Sequence, residues 1–307
     1  MTGPSVEVID SAGGIPGQLR VDVLGLDDAA LVVDGVAALD DQVRLDLSGR
    51  PDSVRHLVAR WPGSGEVVGY GHVDLRGSDA VSAHLLVGPA ERRQGIGTAL
   101  LGRVIGAAAR SPVGVWAHGD TAAGGAFARR HGFESVREIR QMRRRLQPPL
   151  PQPSYDPGVS VRPFVPGADD EAWVAVNAAS FNAHPEQGRL TVDDLRQRMA
   201  QPWFDPTGFF LAERGGHLLG YHWTKVHRSG GADGEPIGEV YVLGVHPDAQ
   251  GLGLGRSLTL TGLHHLRERG LTEVMLYVDG DNLAAVSMYE RLGFAVFSVD
   301  VVYARTL

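Results

Sequence analysis

Apolar and polar residues along this chain follow two rhythms, with the changes falling at glycines. In the second half "GFFLAERG", "HLLGYHWTKVHR" and "GEVYVLGVHP" are short runs rich in β-branched and aromatic residues, bounded by turn residues. They predict three successive strands. The period then lengthens. Leu254, Leu258, Leu263 and Leu266 recur at near-helical spacing, with Arg267 and Arg269 in the last turn and Gly270 as a stop, which predicts a helix. "TEVMLYVDG" returns to strand character, "NLAAVSMYERLGF" reads as a short helix closed by Gly293, and "AVFSVDVVYAR" as a final strand. In the first half Ile96, Leu100, Leu101, Val104, Ile105 and Ala108 form the matching helix stripe. All of these apolar positions are candidate core.

The two halves repeat each other. "VGPAERRQGIGTALLGRVI" (87–105) matches "VHPDAQGLGLGRSLTLTGL" (245–263), with Gly95 standing against Gly253, an offset of 158. "ARRHGF" (128–133) answers "YERLGF" (289–294), and "VGYGHV" (68–73) answers "LGYHWT" (219–224). A period this long indicates a duplicated domain rather than a solenoid. Between the halves, "QPPLPQPSYDPG" (147–158) is proline-rich, and proline lacks an amide donor and restricts its neighbour, so it reads as an extended connector. The expected domains are 1–146 and 159–307. With 307 residues and 43% hydrophobic content the chain can bury two cores.

Charge and composition narrow the chemistry. A formal net charge of -7 argues against a nucleic-acid footprint, so an anionic ligand must be held locally. The chain has no cysteine, which excludes disulfides, thiolate metal sites and a cysteine nucleophile. "GLHHL" (262–266) has no carboxylate at ligand spacing, so no metal is expected. "VREIRQMRRRL" (136–146) reads as the last strand of the first half with a solvated face. The opening "MTGPSVEVIDSAGG" has neither a basic nor an apolar leader segment, and no run of about 18 apolar residues occurs, so a soluble cytoplasmic protein, away from membranes, is expected.

The glycine clusters suggest phosphate binding, because a backbone without Cβ atoms can approach an anion closely. A Walker loop is absent, and counting from Gly251 or Gly253 the sixth position is Arg256 or Leu258, so the dinucleotide fingerprint fails too. What remains is Gln250-x-x-Gly253-x-Gly255 and Arg92-x-x-Gly95-x-Gly97, each between a strand and an amphipathic helix whose exposed amides and dipole suit a pyrophosphate. Together with Asn282-x-x-Ala285-x-x-x-Tyr289 on a later helix, this pattern resembles the GNAT superfamily of acyl-CoA N-acyltransferases. The resemblance implies an α/β (α+β) fold of two tandem GNAT domains, each a mixed, largely antiparallel sheet flanked by helices. It implies acetyl-CoA as co-substrate, its pyrophosphate on Gln250, Gly251, Leu252, Gly253, Leu254, Gly255 and Arg256. The pantetheine arm would pair with Leu243, Gly244 and Val245 where that strand splays from the next, and Asn282, Leu283, Ala284, Ala285, Val286 and Ser287 would complete the site. A glycine inside a strand, such as Gly244, often marks a bulge or a close backbone approach. The first half offers a corresponding cradle in Leu85, Leu86, Val87, Arg93, Gln94, Gly95, Ile96, Gly97 and Thr98, where a second CoA would sit.

Acyl transfer needs a neutral amine and a proton for the departing thiolate. Strand alternation puts Glu239 and Tyr241 on one face, with Val240 and Val242 on the other. The resemblance implies Glu239 as base, through a water, and Tyr289 as acid. At the offset of 158 Glu239 falls on Val81; near the second motif the offset is 161, which places Tyr289 on Ala128 and Asn282 on Thr121. A slip of one residue gives Phe127 and Asp120, still with no hydroxyl opposite Tyr289. The first half is therefore expected to bind or support rather than catalyse.

For the acceptor, "VNAASFNAHPEQGRLT", "GYHWTKVH", "GEVYVLGV" and "LYVDGDNLAAVSMY" resemble the mycothiol synthase family of tandem GNAT enzymes, which acetylate the cysteinyl amine of cysteinyl-glucosaminyl-inositol. Glu186, Lys225, Glu239 and Tyr277 are similar to that family's acceptor contacts, as is Asp41 from the first half, where the family pattern has glutamate. A cysteine α-ammonium deprotonates near neutrality, which suits a nearby carboxylate. Two other readings stay open: a different small amine, such as an aminoglycoside or a peptide N-terminus, and a non-enzymatic acyl-CoA sensor. A monomer is expected, since tandem duplication can supply a partner-like interface.

Overall fold

The computed structural model describes residues 6–49, 53–76, 80–109, 111–147, 150–182, 187–231 and 234–305. In chain order the elements are β1 (Glu7–Ala12), α1 (Gly17–Asp34), α2 (Asp41–Asp46), β2 (Val54–Arg60), β3 (Val67–Asp74), β4 (Val81–Val87), α3 (Ile96–Ala107), β5 (Val113–Ala117), α4 (Ala122–Arg130), β6 (Glu134–Arg145), β7 (Ser160–Pro163), α5 (Asp170–Ser180), α6 (Val192–Met199), β8 (Phe209–Arg214), β9 (His217–His227), β10 (Ile237–Val245), α7 (Leu254–Glu268), β11 (Glu273–Asp279), α8 (Leu283–Arg291) and β12 (Ala295–Arg305).

They form two compact units, Met1–Ile139 with Ser298–Leu307, and Arg140–Phe297. The division falls inside β6 and β12, not at the proline-rich stretch expected to separate the halves. Strand pairing is the reason: β12 lies antiparallel to β5 in the first unit, from Val301↔Ala117 to Arg305↔Val113, while β6 neighbours β11 in the second. Residues 150–158 of that stretch are anchored. Tyr155 Oη lies 2.6 Å from Thr261 Oγ1, His264 Nε2 donates to Pro151 O at 2.9 Å, and Ser257 Oγ donates to Ser154 O, so the segment runs along α7.

In the first unit the strand order is β1-β2-β3-β4-β5-β12, antiparallel except for the parallel pair β4/β5. The predicted stripe Ile96, Leu100, Leu101 and Val104 seats α3 on one face with Leu57, Ala83 and Phe133, while α1 and α2 cover the other through Val23, Ala30 and Val43 against Val58, Tyr70 and Leu86. The second unit repeats this with order β6-β11-β10-β9-β8-β7 and the parallel pair β10/β11. There α7 and α8 bury Leu260, Leu263, Leu266, Val286 and Tyr289 against Val240, Val274 and Leu276. On the other face α5 and α6 bury Trp173, Val176 and Leu195 against Phe209, Tyr221, Trp223 and Val242. Mixed sheets with helices on both faces are the architecture expected from the sequence. No helix among the described residues is long and apolar enough to cross a membrane.

Candidate active site

The β10/β11 register runs Gly238↔Val274, Glu239↔Met275 and Val240↔Leu276 and stops there, although β10 continues to Val245. Through its other edge β10 is bonded to β9 from Ile237 onward, and past an interruption at Tyr241 this pairing reaches Gly244↔Tyr221 and Val245↔Gly220. The strands thus part where Leu243, Gly244 and Val245 stand, leaving that edge of β10 to pair with an extended chain. In the first unit β4 and β5 part after His84↔Trp116, beside Leu85, Leu86 and Val87.

Beyond β10 lies the glycine loop. Gly251 and Gly253 have φ of +83° and +68°, and a Cβ built on either meets no atom within 4 Å. Left-handed backbone in open space is what glycine supplies at least cost. Gly253 is the N-cap of α7 and makes no side-chain capping bond, so the first amides of a 15-residue helix face outward from a loop without Cβ bulk. Gln250, Leu252 and Arg256 are exposed around it, Leu254 is buried as the first core residue of the helix, and Gly255 is half-buried beside Val245 and Met288. The first unit has the same arrangement at Gly95, the N-cap of α3 with φ of +86°, and Ile96 takes the place of Leu254. Its counterpart of Gly251 is Arg93, a non-glycine held at φ of +66°. Gln94 donates to Glu91 at 2.9 Å, Thr98 Oγ1 lies 3.3 Å from His131 Nε2, and Gly97 sits against Phe127.

Gly244 has a reason inside the fold. A Cβ there would stand 2.5 Å from the ring of Tyr221, which is buried and donates through Oη to Asn177 Oδ1 at 2.6 Å. The close approach expected at this glycine includes that ring. Gly244→Ala is expected to destabilise the protein by about 1–3 kcal/mol, read from its denaturant midpoint, because the ring cannot yield without losing the bond to Asn177.

A β-bulge between Val240 and Val242 changes the facing of the residues around Glu239. Val240 joins the cluster under α7 and α8, whereas Val242 joins the aromatic cluster under α5, so the two valines lie on opposite faces rather than sharing one. The extra residue is Tyr241, which sends its ring the same way as Val242. Glu239 and Lys225 are register partners on β10 and β9, both buried. The Lys225 Nζ stands 4.7 Å from the centre of the Trp203 ring and 5.2 Å from that of Tyr241, two cation–π contacts that hold an ammonium in an otherwise aromatic wall. Glu239 Oε2 lies 2.7 Å from His227 Nε2. Trp203 and His227 were not singled out from the sequence. His227 follows Lys225 by two residues and so shares its face, but its diagonal approach to Glu239 depends on the strand register.

The remaining predicted residues are placed as follows. Tyr289 is packed among Val286, Leu292 and Phe294 under α8, and burial pushes its hydroxyl pKa well above that of an ordinary tyrosine. Asn282 is the N-cap of α8, its Oδ1 accepting from Ala285 N at 3.1 Å, which gives the N-x-x-A spacing a structural meaning. Thr121 does the same for Gly124 N on α4, so the offset of 161 holds and Ala128 is the counterpart of Tyr289. Leu283 and Ala284 are exposed, Ala285 is half-buried, and Ser287 Oγ accepts from Arg291. Tyr277 is half-exposed on β11 and its Oη accepts from Gln141 Nε2 at 2.6 Å. Asp41 opens α2 in the first unit, and Glu186 lies outside the described residues.

Register also revises the counterpart of Glu239. Gly69↔Val87 in the first unit corresponds to Gly220↔Val245 in the second, and counting back past the bulge pairs Asp74↔Ser82 with Lys225↔Glu239. The counterpart is therefore Ser82, not Val81. Its Oγ accepts from Trp116 Nε1 at 3.1 Å.

Comparison with known proteins agrees with this picture. The GNAT acetyltransferase family model matches residues 175–294, and a GNAT acetyltransferase domain model matches 52–135. A mycothiol acetyltransferase of Thermomonospora curvata is 52% identical over 92% of each chain, and one of Streptomyces avermitilis is 51% identical over 98% of this chain and 95% of its own. Among solved structures, a tandem GNAT protein from the clavulanic acid biosynthesis pathway superposes with a TM-score of 0.73 at 21% identity, covering 98% of both chains. A GCN5-related N-acetyltransferase from Sphaerobacter thermophilus gives 0.69 at 24% identity, covering 97% of this chain and 95% of its own.

Proposed function

The chain belongs to the mycothiol acetyltransferase family of tandem GNAT acetyltransferases, and from that premise we propose that it moves the acetyl group of acetyl-CoA onto the cysteinyl amine of cysteinyl-glucosaminyl-inositol. Kinship at about half identity over nearly the whole chain carries the choice of acceptor. The parting of β10 from β11 directly beyond Glu239 supports the chemistry, since it sets a carboxylate next to the place a thioester would reach.

In this reading residues 250–256 and the start of α7 hold the pyrophosphate, and the free edge of β10 at Leu243–Val245 pairs with the pantetheine amides. Glu239 removes a proton from the acceptor ammonium through a water, and the neutral amine attacks the thioester carbonyl carbon. The tetrahedral adduct collapses with cleavage of the C–S bond, and Tyr289, kept protonated by burial, gives its proton to the departing sulfur and regains one as the acetylated nitrogen loses its second proton. Lys225 and Tyr277 contact the acceptor. The first unit binds a second CoA or supports the second unit but does not turn CoA over, because Ser82 and Ala128 stand where the second unit has Glu239 and Tyr289.

Steady-state acetylation with cysteinyl-glucosaminyl-inositol, glucosaminyl-inositol and free cysteine tests the acceptor. The pseudodisaccharide bearing cysteine is expected to exceed both fragments in kcat/KM by at least about 10²-fold, since binding energy from the sugar and inositol is spent at the reacting centre. Equal rates with an aminoglycoside would favour a different acceptor, and no turnover of any amine would favour a sensor.

A further inference from the structure

Glu239 is buried on the α5/α6 side of the sheet, where an isolated carboxylate would take up a proton rather than stay charged. A base must be ionised before it can act. The geometry points to His227 as the positioning residue that keeps Glu239 charged and aimed: its Nε2–H donates to Oε2 at 2.7 Å, leaving Oε1 to face the acceptor amine or its water. This inference rests on Glu239 being the base. A hydrogen bond to the charged form of a carboxylate favours that form, and a bond to one oxygen fixes the plane of both.

The surroundings explain why the task falls to His227. The register partners of Glu239 are Lys225 on β9 and Met275 on β11, one cation and one neutral thioether. Lys225 is turned toward the rings of Trp203 and Tyr241. His227 lies diagonally across the same strand pair, opposite Ile237, with its side chain 26% exposed against 8% for Glu239. One end of the imidazole thus meets a buried oxygen while the ring remains in contact with solvent.

Four forms of the full-length protein test this: wild type, Glu239→Gln, His227→Phe, which keeps the ring but removes the donor, and His227→Gln, which restores an amide donor of similar reach. For each, kcat and KM for acetyl-CoA and for the acceptor are measured from pH 5.5 to 9. His227→Phe is expected to lower kcat about 10-fold with KM for acetyl-CoA unchanged. His227→Gln should recover most of the loss. Loss of turnover in Glu239→Gln beside a wild-type profile in His227→Phe would overturn the role of His227 alone. Full turnover in Glu239→Gln would overturn the base and the positioning role with it.

Discussion

Glu239→Gln is expected to lower turnover by about 10²- to 10⁴-fold while leaving affinity for acetyl-CoA within about twofold of wild type. Glutamine keeps the shape of the side chain and can still accept from His227 through its carbonyl oxygen, so the packing around β9 and β10 stays in place. What disappears is the ability to take a proton from an ammonium. The nucleotide arm would sit on the glycine loop and the edge of β10 beyond the bulge, which Glu239 does not touch, so binding and chemistry separate in this variant. The measurements are single-turnover acetylation at saturating substrates and calorimetric titration of acetyl-CoA. Turnover near wild type would remove Glu239 from the mechanism, and a parallel loss of CoA binding would show that its role is structural.

Where sequence reading succeeded, a local physical demand had fixed the residues. The glycines that open α7 and the apolar stripe of α7 itself are each legible within a few positions of the chain. Where it failed, the decisive fact was register. "GEVYVLGV" reads as plain alternation, and nothing in that run announces that Tyr241 is an extra residue which sends Val240 and Val242 to opposite faces. The same slip put Val81 in place of Ser82 as the counterpart of Glu239. The exchange of β6 and β12 between the units was invisible because each strand is well formed in its own half, and only pairing shows which sheet it completes.

The histidines of the first half were hidden for the same reason, and they carry the second large effect. His56, His72 and His84 lie far apart in sequence but are register neighbours across β2, β3 and β4, all buried, at the positions where the second unit has Phe209, Trp223 and Val242. The first unit thus replaces an apolar row by imidazoles, supported by Tyr70 Oη 2.6 Å from His56 Nδ1, by Asp46 Oδ2 3.0 Å from His72 Nε2, and by a relay from His84 Nδ1 through His118 to Asp300. Burial pushes the pKa of His56 down to about 4 and that of His84 down to about 3. Both are neutral in the folded unit at pH 5, whereas in the unfolded chain both are charged below about 6.5. The unfolded state therefore binds more protons as the pH falls, and each such group removes about 1.4 kcal/mol of stability per pH unit. Two groups over the interval from about pH 6.5 to 5 give a loss of about 4 kcal/mol, a large fraction of a typical domain's stability. Buried Asp27 works the other way, since burial raises its carboxyl pKa and it adds stability as the pH falls, whereas the other neighbouring groups do not offset the loss in this window. The depressed carboxyls of Asp40 and Asp46 lose their contribution only as pH falls through their folded pKa values, below 3.8. Burial disfavours the charge on His118, but Asp300 outweighs it and raises the pKa, so its contribution is complete below about 6.5 and fades as pH rises through the raised value. Stability of the first unit is accordingly expected to peak near pH 6.5 and to fall on both sides, more steeply toward acid. Hydrogen exchange of the β2–β4 amides, corrected for intrinsic rates and followed from pH 5 to 8, reads this locally. His84→Val, the residue of the second unit at that position, should roughly halve the acid slope, and adding His56→Phe should remove most of the remainder even if both variants are less stable at neutral pH. An acid slope unchanged in the double variant would assign the pH dependence to groups outside this row.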